Sequence, residues 1–393
     1  MSRSISVGID IGTYQVKAVV AENLREEGRE APRVIGVGYA ESRGLRHGYI
    51  LNQRDAVKSV RQAVAQAEKA AGIKIQSALA SIGGIGLGSV SSVGSVIISR
   101  ADSEITELDV KKAVEVSQDT IPPAHAANRR IIHTIPISFK VDGKPTLGRP
   151  EGLTGSKLEV KTLFITCFEH HVNDLLETIS AAGIEVEDIA ASPIAASLVT
   201  LTKQQKMAGA VLANIGSETV SIVVYENNLP VSLEVFPYGS SDITNDIALG
   251  LRVPLEEAED IKRGSLVGAS YSRKRLEEII AARLTDIFEL IEAHLKKIGR
   301  NGLLPAGIIL TGGGSAIETI GDLAKVSLKL PSRVAQVSFG DTLQGQIRDA
   351  SWSVAYGLCI MGLSNAEEEV ITGMKLVKKT KKNLLNLLRQ FLP

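Results

Sequence analysis

Cysteine is nearly absent. Cys167 and Cys359 are the only two and stand far apart, which supplies neither a disulfide framework nor zinc-ligand spacing. Aromatic residues make up only 4% of the chain, which argues against a base-stacking surface and a nucleic-acid partner. Net charge is missing too: Lys+Arg and Asp+Glu are both 44, so contact with a charged surface must come from a local patch. No apolar run reaches the ~20 residues that span a bilayer. The N-terminus runs straight into a strand-like segment, Ile5 to Ile11, without the basic and apolar regions of a signal peptide. A soluble, cytoplasmic chain is expected. Histidines offer no metal site: His170 and His171 are adjacent and point roughly 100° apart on a helix, and the other four lie in unrelated segments. No Ser/His/Asp nucleophile constellation stands out either.

What the chain does contain is a 44% hydrophobic fraction spread over 393 residues, enough for two or more packed domains. Its most informative feature is an internal repeat. Val7-Gly-Ile-Asp-Ile-Gly-Thr-Tyr-Gln-Val-Lys-Ala-Val-Val20 aligns without gaps on Val211-Leu-Ala-Asn-Ile-Gly-Ser-Glu-Thr-Val-Ser-Ile-Val-Val224. Each copy reads as strand, polar glycine turn, strand. One such hairpin is ordinary; two in register imply a duplicated domain with a cleft between its halves. Between them, Gln53 to Ala71 reads as an amphipathic helix ended by Gly72, and Ala78 to Ile82 as a buried strand. Gly83 to Ser99 reads as an antiparallel hairpin, Thr106 with Asp109 as the start of a short helix, and Pro122-Pro123 as part of a loop. After the second copy come helices at Asp242 to Leu251, Leu255 to Arg263 and Arg273 to Ile298. Then follow a strand at Ile308 to Leu310 and an apolar helix at Trp352 to Met361, whose single Trp reads as core.

Phosphates need converging N–H donors and close backbone approach, which glycine turns supply. The first turn offers Gly12, Thr13 and Tyr14, with Lys17 able to add charge; the second offers Gly216, Ser217 and Glu218. Facing each other, these turns would grip a polyphosphate from both sides. Asp10 is placed to hold Mg²⁺ through waters, since that ion keeps much of its hydration. Thr311-Gly312-Gly313-Gly314 follows a buried strand and could lie against an adenosine, and Glu259-x-x-Lys262 puts two hydrogen-bonding side chains on one helix face. Taken singly, a glycine turn is common and a Glu–Lys pair is usually a solvated surface pair; their order along the chain is the signal.

That order resembles the actin, sugar-kinase and heat-shock-chaperone superfamily, and within it the cell division protein FtsA family. Ser42-Arg-Gly-Leu-Arg-His-Gly48, Ile105-Thr-x-x-Asp109, His133-Thr-Ile-Pro136, Pro150-Glu-Gly-Leu-Thr-Gly155, Pro237-Tyr-Gly239, Ile243-Thr-Asn-Asp-Ile247 and Ala258-Glu-x-x-Lys262 are similar to that family's text. The resemblance implies an α/β, actin-like duplicated nucleotide-binding fold with an inserted small α+β domain. Its implied divisions are 1–83 with 162–192 and a returning helix near 350–363, the insert at 84–161, 193–228 with 303–349, and 229–302. A linker at 364–382 and an amphipathic helix at 383–393 would follow. It also implies ATP and Mg²⁺ as ligands, filaments through the insert, later division proteins as partners, and docking of the FtsZ C-terminal peptide on about 229–302. There Arg283 is the candidate contact, with a solvated helix face as the alternative. One departure bears on chemistry: Asn214 stands where the superfamily usually has Asp, and Ser217-Glu218 where it has glycine. Losing that carboxylate removes a charge that organises Mg²⁺ and the attacking water, so binding with little turnover is expected.

The chain's last residues carry a separate signal. Leu384, Leu385, Leu387, Leu388, Phe391 and Leu392 form one helical stripe, preceded by Lys375, Lys378, Lys379, Lys381 and Lys382. Too short to span, such a helix is expected to lie in the interface of a membrane with anionic lipid, making the protein peripheral; the family resemblance implies the cytoplasmic face of the cell membrane at the division site. Two rivals share the fold. A PilM-like pilus assembly protein would meet the membrane through a partner, and a metabolite kinase would need a catalytic acid.

Overall fold

The two copies of the repeat form hairpins of the same register in the computed structural model, which describes residues 4–26, 29–265, 271–337 and 349–372. Strand Ile5–Ile11 pairs with Gln15–Glu26, Val7 opposite Val20 and Ile11 opposite Val16. Strand Ala210–Ile215 pairs with Val220–Glu226, Val211 opposite Val224 and Ile215 opposite Val220. Each hairpin grows outward in the same way. A third antiparallel strand joins one side, Arg29–Glu41 in the first lobe and Leu229–Phe236 in the second. Two parallel strands join the other, Ser77–Ile82 with Glu185–Ala191, and Ile308–Thr311 with Ser332–Val334. The result is two five-stranded sheets of one topology, each closed by crossover helices that parallel strands require.

Helix Gln53–Ala71 shows how sequence sets one such crossover. Ala56, Val57, Val60, Ala63, Val64 and Ala67 make a buried stripe at helical spacing. The Asn52 side chain accepts from Asp55 N at 3.3 Å to begin the helix, and left-handed Gly72 (φ 69°) ends it. The stripe is rich in alanine because the helix lies almost on the neighbouring strand: a Cβ at Gly38 would collide with the carbonyl of Ala63. The apolar helix at the end of the described chain, Ser353–Thr372, crosses the first hairpin, where Cys359 Sγ reaches the Val19 carbonyl at 3.2 Å. Trp352 is buried against it, as its sequence context implies. The helix runs past Ser364, so 364–372 is helical here and not the linker expected there. The lysine run and the stripe from Leu384 to Leu392 lie outside the described residues.

The inserted domain has its own sheet, Gly88–Ile97, Lys157–Phe168, Arg129–Val141 and Lys144–Pro145 in that order, covered by helix Glu107–Asp119. Thr106 N donates to Asp109 Oδ2 at 2.9 Å to cap the helix. Three expectations are corrected here. Gly83 to Ser99 is not a hairpin: its one strand, Gly88–Ile97, pairs along its length with Lys157–Phe168. That partner continues in the same sheet to Phe168, so the division drawn at 161/162 falls inside a strand. Pro122-Pro123 opens a short helix, Pro123–Ala126, because proline fits the first helical turn.

Candidate nucleotide-binding cleft

A cleft of about 1450 Å³ opens between the lobes, with both glycine turns in its wall. The turns are closed alike: Gly12 N donates to Gln15 O at 3.1 Å and Gly216 N to Thr219 O at 2.8 Å. These two amides are therefore spent inside the turns and do not face the cleft as donors. What the glycines contribute is the missing side chain, since a Cβ at either would stand 3.0 Å from its own turn's carbonyl.

Asp10 lies on the cleft wall at the end of the first strand. Ser81 Oγ, from the adjacent parallel strand, donates to its Oδ1 at 2.7 Å, and Lys17 is its cross-strand partner. Burial pushes the Asp10 carboxyl up, against the pull of Ser81 and Lys17. Burial likewise pushes the Lys17 amine down, against Asp10 and Asp349. Lys17 also ties the first hairpin to the chain's far end: its Nζ donates to the Ser351 carbonyl at 2.8 Å and sits 5.4 Å from the Trp352 ring centroid. The second turn has no such pair. Asn214 occupies the place of Asp10 and faces Gly312, whose left-handed backbone (φ 85°) carries the chain past it; a Cβ there would strike the Asn214 side chain.

On the second lobe, Glu259 and Lys262 form one network. Lys262 Nζ donates to Glu259 Oε2 at 2.6 Å, to Thr244 Oγ1 at 2.7 Å and to the Ser240 carbonyl at 3.0 Å, and its side chain is 8% exposed. Lys262 is thus buried in the network while Glu259 stays 32% exposed, unlike the fully solvated pair that the spacing also allows. Burial works to raise the Glu259 carboxyl, but bonds from Lys262, Thr244 and Arg263 outweigh it and hold it at about 2. Gly312, Gly313 and Gly314 follow strand Ile308–Thr311 into the same cleft, beside Thr13, Tyr14 and Ser217. Among the described residues, no three His, Cys, Asp or Glu side chains converge as a metal site. Asp10 fits the other way of holding Mg²⁺, one carboxylate supplemented by water and phosphate oxygens.

Two candidate residues stand apart from the cleft wall, Glu218 of the second turn and Arg283, the candidate for peptide docking. Glu218 does not line the cleft with its neighbours; its carboxylate accepts the backbone N–H of His47 at 2.5 Å. Arg283 does not line the cleft and is bound within the protein, its guanidinium forked onto Asp246 at 2.6 and 3.0 Å. Conversely, Ser81, Arg263, Asp349 and Ser351 belong to the cleft although no sequence motif points to them, and Thr244 belongs to it although its motif, Ile243-Thr-Asn-Asp-Ile247, assigns it no role. Arg263 alone has a local cue, since it lies one helical turn past Glu259 and bonds it at 2.7 Å.

Residues 211–357 match the family model described as cell division protein FtsA, and residues 84–166 match the SHS2 domain inserted in FtsA. The cell division protein FtsA of Pseudomonas aeruginosa is 31% identical over 388 residues, covering 93% of this chain and 91% of that protein. Among solved structures, a PilM–PilN type IV pilus biogenesis complex superposes with a TM-score of 0.68 at 17% identity, covering 91% of this chain and 98% of that one. MreB5 of Spiroplasma citri bound to ADP superposes at 0.52 and 12% identity, covering 94% and 99%. These likenesses establish the actin-like α/β fold with its inserted small domain. No helix among the described residues is long and apolar enough to cross a membrane.

Proposed function

Starting from this chain's membership of the cell division protein FtsA family, we propose that it binds ATP with Mg²⁺ between its lobes and tethers FtsZ to the cytoplasmic membrane as a filament-forming scaffold. The observation that carries the nucleotide reading is the pair of like hairpins, each bringing a glycine turn to one cleft beside Asp10, Lys17 and the Glu259–Lys262 network. MreB5, of the same fold, was solved bound to ADP, which supports a nucleotide in this cleft. Asp10 would hold Mg²⁺ through waters, Gly312, Gly313 and Gly314 would lie against the adenosine, and the ion would neutralise phosphate charge. Asn214 leaves the second hairpin without a carboxylate at the place of Asp10, so turnover is slow and the protein works chiefly by binding.

Membrane attachment is assigned to 383–393. Its stripe contributes roughly 1 kcal/mol for each apolar side chain partly buried, and each preceding lysine up to ~1 kcal/mol on anionic lipid. Folding so short a helix offsets much of that, so one copy binds reversibly and a filament binds by avidity. FtsZ engages residues 229–302 through its C-terminal peptide, and later division proteins join the assembled filament. Co-sedimentation of FtsZ with anionic vesicles tests the whole reading. Full-length protein should carry FtsZ down with the vesicles; protein ending at Thr380, or with Leu385→Asp and Leu388→Asp, should leave both in solution. Vesicle binding that survives truncation would place the anchor elsewhere.

A further inference from the structure

Tyr14 and Glu218 are equivalent residues of the gapless repeat, the one following Thr13 in the first turn and the other following Ser217 in the second. Each reaches out of its own turn to the opposite lobe. The Glu218 carboxylate accepts the His47 backbone N–H at 2.5 Å, and the Glu218 carbonyl lies 3.1 Å from His47 Nδ1, which therefore carries the hydrogen. In the mirror sense, Tyr14 Oη accepts from Arg263 Nη2 at 3.0 Å, with the guanidinium 5.5 Å from the Tyr14 ring centroid.

We propose that Tyr14 and Glu218 are a pseudo-symmetric pair of latches that hold the lobes together across the cleft and so set the rate at which nucleotide leaves. This rests on the reading of the cleft as a nucleotide site. Both latch points adjoin cleft groups: His47 precedes Gly48 in the wall, and Arg263 is bound by Glu259. Nucleotide departure requires the turns to part, and parting the turns breaks both latches. They are unequal. The Tyr14–Arg263 contact is about half exposed on each side, whereas Glu218 is partly buried and joins a charged acceptor to a backbone donor, the stronger kind of hydrogen bond.

Two readouts test the pair on the full chain: amide hydrogen exchange of the peptide spanning residues 43–50 without nucleotide, and release of a fluorescent ATP analogue by stopped flow. Glu218→Gly should lose His47 amide protection and release the analogue about tenfold faster, a change of ~1.4 kcal/mol. Glu218→Gln, which keeps an acceptor without the charge, should fall between, and Tyr14→Phe should speed release by less. Circular dichroism confirms that each variant is folded. A His47 amide that exchanges freely in the wild type, or release unaltered in folded Glu218→Gly, overturns the latches. Wild-type protein that takes up no analogue defeats the nucleotide reading instead, and the exchange arm still decides whether Glu218 holds His47.

Discussion

Asp10 and Asn214 stand at the same place in the two hairpins, but Asp10 pairs in register with Lys17 and Asn214 with Ser221. The first hairpin thus sets an acid against a base, and the second an amide against a hydroxyl. Restoring the carboxylate with Asn214→Asp should raise ATP hydrolysis about tenfold, because it returns a charge that orders Mg²⁺ and the attacking water. The same change should lower stability by about 1–2 kcal/mol without nucleotide, since the new charge is desolvated opposite Ser221 and not a lysine. Phosphate release and thermal melts measure the two effects. Rapid hydrolysis by the wild type would remove the explanation.

Glycines with and without room around them separate binding from stability. A side chain at Gly12 or Gly216 meets the turn's own carbonyl at 3.0 Å, so Gly12→Val and Gly216→Val should distort the turns and weaken ATP binding at least tenfold in calorimetry. Gly321, in helix Ile320–Leu328, has nothing within 4 Å of a Cβ. Gly321→Ala should raise stability by roughly 0.5 kcal/mol and leave binding alone. Normal ATP affinity in the valine variants would place the nucleotide away from these turns.

Where the chain's signals are local, the sequence is a sufficient guide. Helix Gln53–Ala71 is legible to its ends because Asn52, the alanine–valine stripe and Gly72 all lie within one stretch. Both hairpins are legible because the repeat carries its own register. The pairing of Gly88–Ile97 with Lys157–Phe168 is not, since nothing in either strand names a partner that far away. The contact of the Glu218 carboxylate with His47 is hidden for the same reason, the two being 171 residues apart. The long reach of Lys17 to Ser351, 334 residues away, is invisible in any window of text. The last helix outruns its apolar stretch because Ala and Glu propagate a helix well.

Arg283 has a partner already, and that sharpens its test. Its guanidinium grips Asp246 in a fork, joining helix Arg273–Lys297 to helix Ser240–Leu251. An acidic group of the FtsZ peptide must compete with that carboxylate. Asp246→Asn should therefore strengthen peptide binding several-fold by freeing Arg283, while Arg283→Glu should weaken it and leave ATP binding intact. Fluorescence anisotropy with the labelled FtsZ C-terminal peptide reads both. Equal affinities across the three proteins would reduce Arg283 to a brace between helices.

Acid should loosen the fold through His133. Its Nε2 accepts the Ala191 N–H at 2.9 Å, so the ring must be neutral with its hydrogen on Nδ1, and burial holds its pKa at about 4. The unfolded chain takes up that proton near 6.5 and the folded chain only near 4. The unfolded state therefore binds more protons between those values, and stability falls as pH drops through that window, by on the order of 3 kcal/mol in all. His294, beside Ser232 at 2.8 Å, is held at about 4 by burial and adds to the loss in the same direction. Asp10 opposes it: its raised carboxyl carries a cost at neutral pH that protonation removes. Thermal melts from about pH 7.5, above that window, to about pH 5, inside it, should show a falling Tm that flattens in His133→Gln, where an amide oxygen can take the Ala191 N–H at any pH. Exposed His125→Gln serves as the control and should follow the wild type. A His133→Gln profile as steep as the wild type's would move the acid sensitivity to another group, with His294→Gln as the next variant to melt.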